Sequence, residues 1–264
     1  MIESVWRSVN ENSTIAQHAG AASPAVRPPS IIGHQGTNAE MTGNTMRAFR
    51  AAAAYAEMIE TDVQFTRDQV MVIFHDKTLD ESTTGSGPIA ELTFRQLRRY
   101  RLKDGSRIPT FLELLRWIRK TSLTLVAEMK LDGWTLDQVK AYSRIVRRCG
   151  MANRVVASSF DFSNIEHLTR YDPGLTTAFV YSRETPSISA LRTAGSISMP
   201  WIKNLTPDEV ALQHAAGLQV WCWTARTATQ YRSAIELGVD AVVADDPRSL
   251  RTWLASRSPS LPTH

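Results

Sequence analysis

The stretch Met58-Ile59-Glu60-Thr61-Asp62-Val63-Gln64-Phe65-Thr66-Arg67-Asp68-Gln69-Val70-Met71-Val72-Ile73-Phe74-His75-Asp76 decides the fold. Residues 58–62 read as a strand carrying two carboxylates on one face, because strand side chains alternate with a period of two. Residues 63–66 and 70–74 are also β-like, with only Arg67-Asp68-Gln69 between them. Three residues are too few for a parallel crossover, so the segment predicts an antiparallel hairpin that prolongs the strand and folds back. Pairing Thr66 with Val70 returns Phe74 to Asp62 and His75 to Thr61.

Outward from this hairpin, short apolar runs alternate with helical patterns. The candidate strands are residues 31–34, 58–62, 124–130, 155–158, 176–180, 197–199, 219–223 and 241–244. Helical patterns at 44–55, 111–120, 136–147, 163–171, 187–193, 207–216 and 227–237 lie between most of them, and one at 247–254 follows the last. Gly150, Gly217 and Gly238 punctuate helix ends. Eight strands alternating with helices predict the α/β class, as a (β/α)8 TIM-type barrel with a β-hairpin extension after strand two. Residues 77–106 read as a loop-rich excursion with a short helix near 93–101.

A chain of 264 residues fits one such barrel, here residues 30–256 as a single domain. Residues 1–29 are expected to form a flexible or partly helical arm, and residues 257–264 a frayed tail. The 43% apolar and 21% charged fractions are ordinary for a soluble globular protein. A net charge of +4 suits an anionic substrate, while the basic residues are too dispersed along the sequence to argue for nucleic acid. Cys149 and Cys222 make no disulfide framework. The opening residues lack a signal-peptide pattern, and no run of about 18 apolar residues predicts a transmembrane segment. A cytoplasmic location is the default; the oligomeric state is not legible.

The chemistry-bearing residues cluster at predicted strand ends: Gly33-His34, Glu60-Thr61-Asp62, His75-Asp76 and Glu128-Met129-Lys130. Glu60 and Asp62 share a face, as do Glu128 and Lys130. Carboxylates turned into helix packing are costly, so the inward C-terminal mouth of the barrel is their place, where active sites of this fold lie. Three crowded carboxylates repel by several kcal/mol at an effective dielectric of about 20, and a divalent cation with hard oxygen ligands resolves this. Histidines supply proton transfer near neutral pH, and a lysine can hold a phosphate. Each feature alone has a bland reading: a solvated strand face, a core histidine, a structural ion pair. Their coincidence on separate strand ends does not.

In these residues the sequence resembles the glycerophosphodiester phosphodiesterase family. The likeness runs from about Ser30 to Pro247. It includes Ile31-Ile32-Gly33-His34, Asn44-Thr45, Ile59-Glu60-Thr61-Asp62-Val63, Phe74-His75-Asp76-Lys77-Thr78-Leu79, Ile108-Pro109-Thr110, Ala127-Glu128-Met129-Lys130, Ser158-Ser159-Phe160, Trp223-Thr224 and Asp245-Asp246-Pro247. The resemblance implies Mg2+ or Ca2+ held by Glu60, Asp62 and Glu128. It implies His34 and His75 as the general acid/base pair, Lys130 as a phosphate contact, and a small-molecule phosphate ester as the partner.

Two positions depart from the family pattern. Gln35 stands where the family carries Arg, and Gly43 where it usually carries Glu. Gln offers one neutral amide in place of a fixed bidentate cation, and one positive and one negative charge are lost together. Three readings follow: a phosphodiesterase of altered specificity, with Gln35 and Lys130 at the substrate; a lyase or cyclase acting on a phosphate or diphosphate ester at the same metal site; and a non-catalytic phosphate-binding module. Trp201, Trp221 and Trp223 near strand ends are candidates for an apolar pocket wall, Trp223 foremost.

Overall fold

A computed structural model describes residues 28–256; the expected N-terminal arm, apart from residues 28 and 29, and the expected tail lie outside the described residues. The elements run β1 (Ser30–Gly33), α1 (Met46–Ala52), β2 (Met58–Phe65), β3 (Met71–Ile73), α2 (Phe94–Leu97), α3 (Phe111–Ile118), β4 (Thr124–Met129) and α4 (Leu136–Arg148). They continue with β5 (Val155–Ser159), α5 (Phe162–Tyr171), β6 (Thr176–Tyr181), α6 (Ile188–Ala194) and β7 (Ile197–Pro200). The chain then forms α7 (Pro207–Ala215), β8 (Gln219–Ala225), α8 (Ala228–Glu236), β9 (Ala241–Ala244) and α9 (Pro247–Ala255). Apart from β3, the strands are parallel, and β1 pairs with both β2 and β9. The sheet therefore closes into an eight-stranded TIM barrel.

Alternation along each strand sorts the core into two layers. Ile59 and Val63 of β2 and Leu125, Ala127 and Met129 of β4 pack outward against Phe111, Leu114 and Leu115 of α3. Met58, Val126, Val156, Ala178, Val243 and Trp221 fill the barrel interior. Threonines start the helices: Thr110, Thr135 and Thr206 each complete a capping box with the Glu or Gln three residues on, and such caps typically contribute about 1 kcal/mol.

The hairpin forms in the expected register. Val63 pairs with Ile73, Gln64 with Val72 and Phe65 with Met71, and the Phe74 amide donates to the Asp62 carbonyl at 3.0 Å. Gln69, in the turn, takes the left-handed region at φ 59°. Asp68 ties the turn down by accepting from Thr66 Oγ1 at 2.7 Å and from the Phe94 amide at 2.8 Å. The excursion after Asp76 has its own small core, in which Val72 and Phe74 pack with Leu79, Ile89, Leu97, Leu102 and Ile108. That core anchors the return of the hairpin to the barrel rim.

Candidate active site

Parallel pairing of β2 with β4 sets Asp62 directly beside Glu128. Glu60 lies two residues earlier on the same face, and one carboxylate oxygen from each of the three lies within 4.8 Å of the others. All three side chains are buried. Lys130 reaches into the cluster, with Nζ 3.0 Å from Glu128 Oε1 and 3.2 Å from Asp62 Oδ1. Asp62 also accepts from Asn44 Nδ2 at 2.7 Å and from Gln35 Nε2 at 3.0 Å. Glu60 accepts from the Gln35 amide at 2.9 Å.

The electrostatics of this cluster are unbalanced. Burial, followed by repulsion from Asp62, pushes the Glu60 carboxyl up to about 8. The same two causes raise Glu128 to about 7, with Lys130 working against them. Burial also opposes the charge on Asp62, but Lys130, His75 and Asn44 outweigh it and hold its pKa below the ordinary value. Burial opposes the charge on Lys130 as well, and the Asp62 and Glu128 carboxylates override it and raise the ammonium pKa. Three buried carboxylates facing one lysine form a hard-oxygen donor set with excess negative charge. That set fits a divalent cation.

Two imidazoles border the same cavity, which encloses about 200 Å3 and includes Phe160, Trp223 and Arg226 in its wall. Each is held by a carboxylate. His34, just past β1, donates from Nδ1 to Asp245 Oδ1 at 2.5 Å, and its Nε2 lies 4.0 Å from Glu60 Oε2. Burial disfavours the imidazolium, but the Asp245 hydrogen bond and the Glu60 charge raise the His34 pKa. His75 makes the matching contact to Asp76 Oδ1 at 2.8 Å, and Ser82 Oγ donates to the far oxygen of Asp76 at 2.5 Å. Gln64, buried in β2, donates through Nε2 to the carbonyls of Phe74, His75 and Asp76 at 2.7, 3.1 and 2.9 Å. It fixes the backbone that carries His75.

The structure thus brings together His34, His75, Glu60, Asp62, Glu128, Lys130 and Trp223 on one cavity. Gln35 borders a neighbouring groove and reaches the site through its bonds to Glu60 and Asp62. Of the other tryptophans, Trp221 belongs to the barrel interior and Trp201 does not line the cavity. Phe160 takes their place, edge-on to Trp223 with ring centroids 5.2 Å apart. Sequence reasoning also missed functional roles for Asp245 and Arg226. Gly33 of β1 is in register with Ala244 of β9, so the next residues on each strand, His34 and Asp245, meet where the barrel closes. Arg226 Nε donates to Asp245 Oδ2 at 2.7 Å.

The departures at positions 35 and 43 are spatially one feature. A Cβ on Gly43 would fall 2.6 Å from Gln35 Oε1 and 2.8 Å from Gln35 Cβ. The Gln35 side chain occupies the space that a side chain at 43 would need.

Residues 34–249 match the model of the glycerophosphoryl diester phosphodiesterase family. The chain belongs to this family. Its members are phosphodiesterases, enzymes that hydrolyse phosphoric diesters. A glycerophosphodiester phosphodiesterase of Caldanaerobacter subterraneus is 28% identical over 235 residues, covering 83% of this chain and 95% of the relative. A glycerophosphoryl diester phosphodiesterase-type protein from Silicibacter pomeroyi superposes with a TM-score of 0.81 at 27% identity, covering 89% of this chain and 95% of that one. The barrel is also that of an Oleispira antarctica phosphodiesterase captured with its product sn-glycerol-3-phosphate, with a TM-score of 0.80, 20% identity and coverage of 86% and 97%. Among the described residues no helix is long and apolar enough to cross a membrane.

Proposed function

We propose that the chain is a divalent-cation-dependent phosphodiesterase that cleaves a glycerophosphodiester with two histidines as acid and base. The observation that carries this reading is the convergence of Glu60, Asp62 and Glu128 within 4.8 Å of one another on a cavity bordered by two carboxylate-held imidazoles. Glu60, Asp62 and Glu128 would hold the cation, Mg2+ or Ca2+, which when bound supplies charge stabilisation at the phosphoryl oxygens and acidifies a nucleophile.

The remaining steps fall to this chain's own side chains. Asp245 stabilises the imidazolium of His34 and fixes its Nδ1–H, which suits His34 to donate a proton to the departing alkoxide. His75, oriented by Asp76, accepts the proton of the attacking hydroxyl, from water or from the substrate's own alcohol. Lys130 favours the ionised forms of Asp62 and Glu128 and adds positive charge beside the phosphate. Arg226 spends only Nε on Asp245, so its terminal nitrogens are available for bidentate contact with a phosphate. It supplies the guanidinium that position 35 lacks. Phe160 and Trp223 form the apolar wall for the alcohol portion.

The test is a product-resolved assay on glycerophosphocholine and related diesters, with EDTA and with Mg2+ or Ca2+ added back. Glycerol phosphate and free alcohol, lost with EDTA and restored by the ion, are the expected result. Release of phosphate or diphosphate with a rearranged organic product would instead assign the lyase or cyclase reading. Ligand-induced thermal stabilisation without turnover would assign a binding module.

A further inference from the structure

Basic residues that are scattered along the sequence are gathered by the fold onto one flank. A groove of about 520 Å3 is lined by Arg47, Arg98, Arg101, Arg107 and Arg116. A second, of about 670 Å3, shares Leu112 and Arg116 with the first and adds Arg119, Lys120, Arg144 and Arg148. These cations come from α1, from the segment between α2 and α3, from α3 and its C-terminal turn, and from α4. None of them forms an ion pair among the described residues, whereas Arg147, Arg170, Arg226, Arg248 and Arg251 all do. Glu113 is the acid that lines the first groove, and its carboxylate is engaged by Thr110 in the capping box of α3. No acid lines the second. Asp104 feels the charge of Arg47 and offsets part of it, but the two grooves share Arg116 and their cations outnumber the acids that line them. The flank therefore carries an excess of positive charge, felt over a Debye length of about 8 Å at physiological salt.

We propose that this flank docks the protein onto an anionic lipid surface. The grooves are apolar between the cations, with Leu97, Ile108 and Leu112 in the first and Ala141 and Ile145 in the second. Arginines with aliphatic stems beside such a floor suit a headgroup layer over acyl chains. Single-stranded nucleic acid would need free aromatic faces on which bases stack. The rings lining the grooves are Phe94 and Tyr100. Arg98 already lies over Phe94, 5.8 Å from its centroid, and Tyr100 packs on Gly85, where a Cβ would meet the ring at 2.6 Å. The first groove adjoins the reaction mouth through consecutive residues: Thr45 lines the groove, and Asn44 donates to Asp62. Docking uses none of the mouth residues, so its test stands apart from that of the proposed hydrolysis.

The test is cosedimentation of the full chain with phosphatidylcholine vesicles, with and without phosphatidylglycerol, at low and high salt. Binding should require the anionic lipid and fall as salt rises. Each basic residue near an anionic surface is worth roughly fivefold in affinity, so the combined change Arg98→Gln, Arg116→Gln and Arg144→Gln should weaken binding roughly a hundredfold. Hydrolysis of a soluble diester should be unchanged, and so should the melting temperature. A second set, Arg107→Gln, Arg119→Gln and Arg148→Gln, serves if the first does not fold. The charge-matched control Arg183→Gln, Arg192→Gln and Arg232→Gln lines neither groove and should bind as wild type. Absence of vesicle binding, equal binding to neutral vesicles, equal loss in the control, or binding to duplex DNA alone would each overturn the proposal.

Discussion

Replacing Glu60 with Gln in metal-free protein should raise stability at neutral pH while removing the response to a divalent cation. In the folded chain the Glu60 carboxyl is pushed from its ordinary 4.5 up to about 8. Between those values the folded state holds a proton that the unfolded state has lost, so stability falls as pH rises through that window. At pH 7 the penalty is about 3 kcal/mol, from the distance between 4.5 and 7 at about 1.4 kcal/mol per unit. Gln keeps a carbonyl oxygen for the Gln35 amide that Glu60 now accepts at 2.9 Å, so the hydrogen bond survives and the titration does not. Thermal unfolding in EDTA should show the variant melting roughly 5–10 °C higher than wild type at pH 7, with the two converging near pH 4.5. Added Mg2+ or Ca2+ should raise the wild-type melting temperature strongly and the variant's little. Parallel melting temperatures for the two proteins from pH 5 to 8 in EDTA would refute the account of a strained acidic cluster.

Other consequences follow from single contacts. Asp245→Asn should lower kcat about 10- to 100-fold with little change in KM, and shift the acidic or basic limb of the pH–rate profile, because its carboxylate orients His34 and favours the imidazolium. Arg226→Gln should raise KM for a phosphodiester roughly tenfold or more, the value of one charge-assisted hydrogen bond, while Arg226→Lys restores only part; unchanged kinetics in both would remove Arg226 from the substrate. Gly43→Ala should destabilise by about 1–3 kcal/mol through overpacking, since the new Cβ would fall 2.6 Å from Gln35 Oε1; chemical denaturation reads this directly. Asp172 accepts from Ser143 Oγ at 2.6 Å and from Arg147 Nε at 2.6 Å, and chiefly the Arg147 bond holds its pKa down. Its contribution is therefore present above the ordinary carboxylate range and disappears as pH falls through its lowered pKa. Asp172→Asn should be less stable than wild type at pH 7, with the gap closing in acid.

The barrel and the hairpin were legible because each rests on local signals: alternation along β2, three residues between two β-like runs, and glycines close behind several helices. Glu60, Asp62, Glu128 and Lys130 were legible for the same reason, since a period of two fixes which strand residues share the mouth. Asp245 was visible only as part of a motif, because its contact to His34 spans 211 positions and arises when the first and last strands pair. Gln64 reads as an ordinary strand residue, and nothing local shows that its amide holds three carbonyls of the returning hairpin. The tryptophans share one composition and separate by depth: Trp221 falls in the barrel interior and Trp223 at the rim. The basic residues looked dispersed because segments spread along the chain from α1 to α4 supply them, and only the packing of those segments collects them.

The account stands most directly on a divalent ion among Glu60, Asp62 and Glu128. Crystals of the protein soaked in Ca2+ and measured for anomalous scattering should show one peak about 2.3–2.6 Å from an oxygen of each carboxylate, absent in Asp62→Asn. Full occupancy of the lattice by wild-type protein with no peak at that cluster, or an equal peak in the variant, would contradict it.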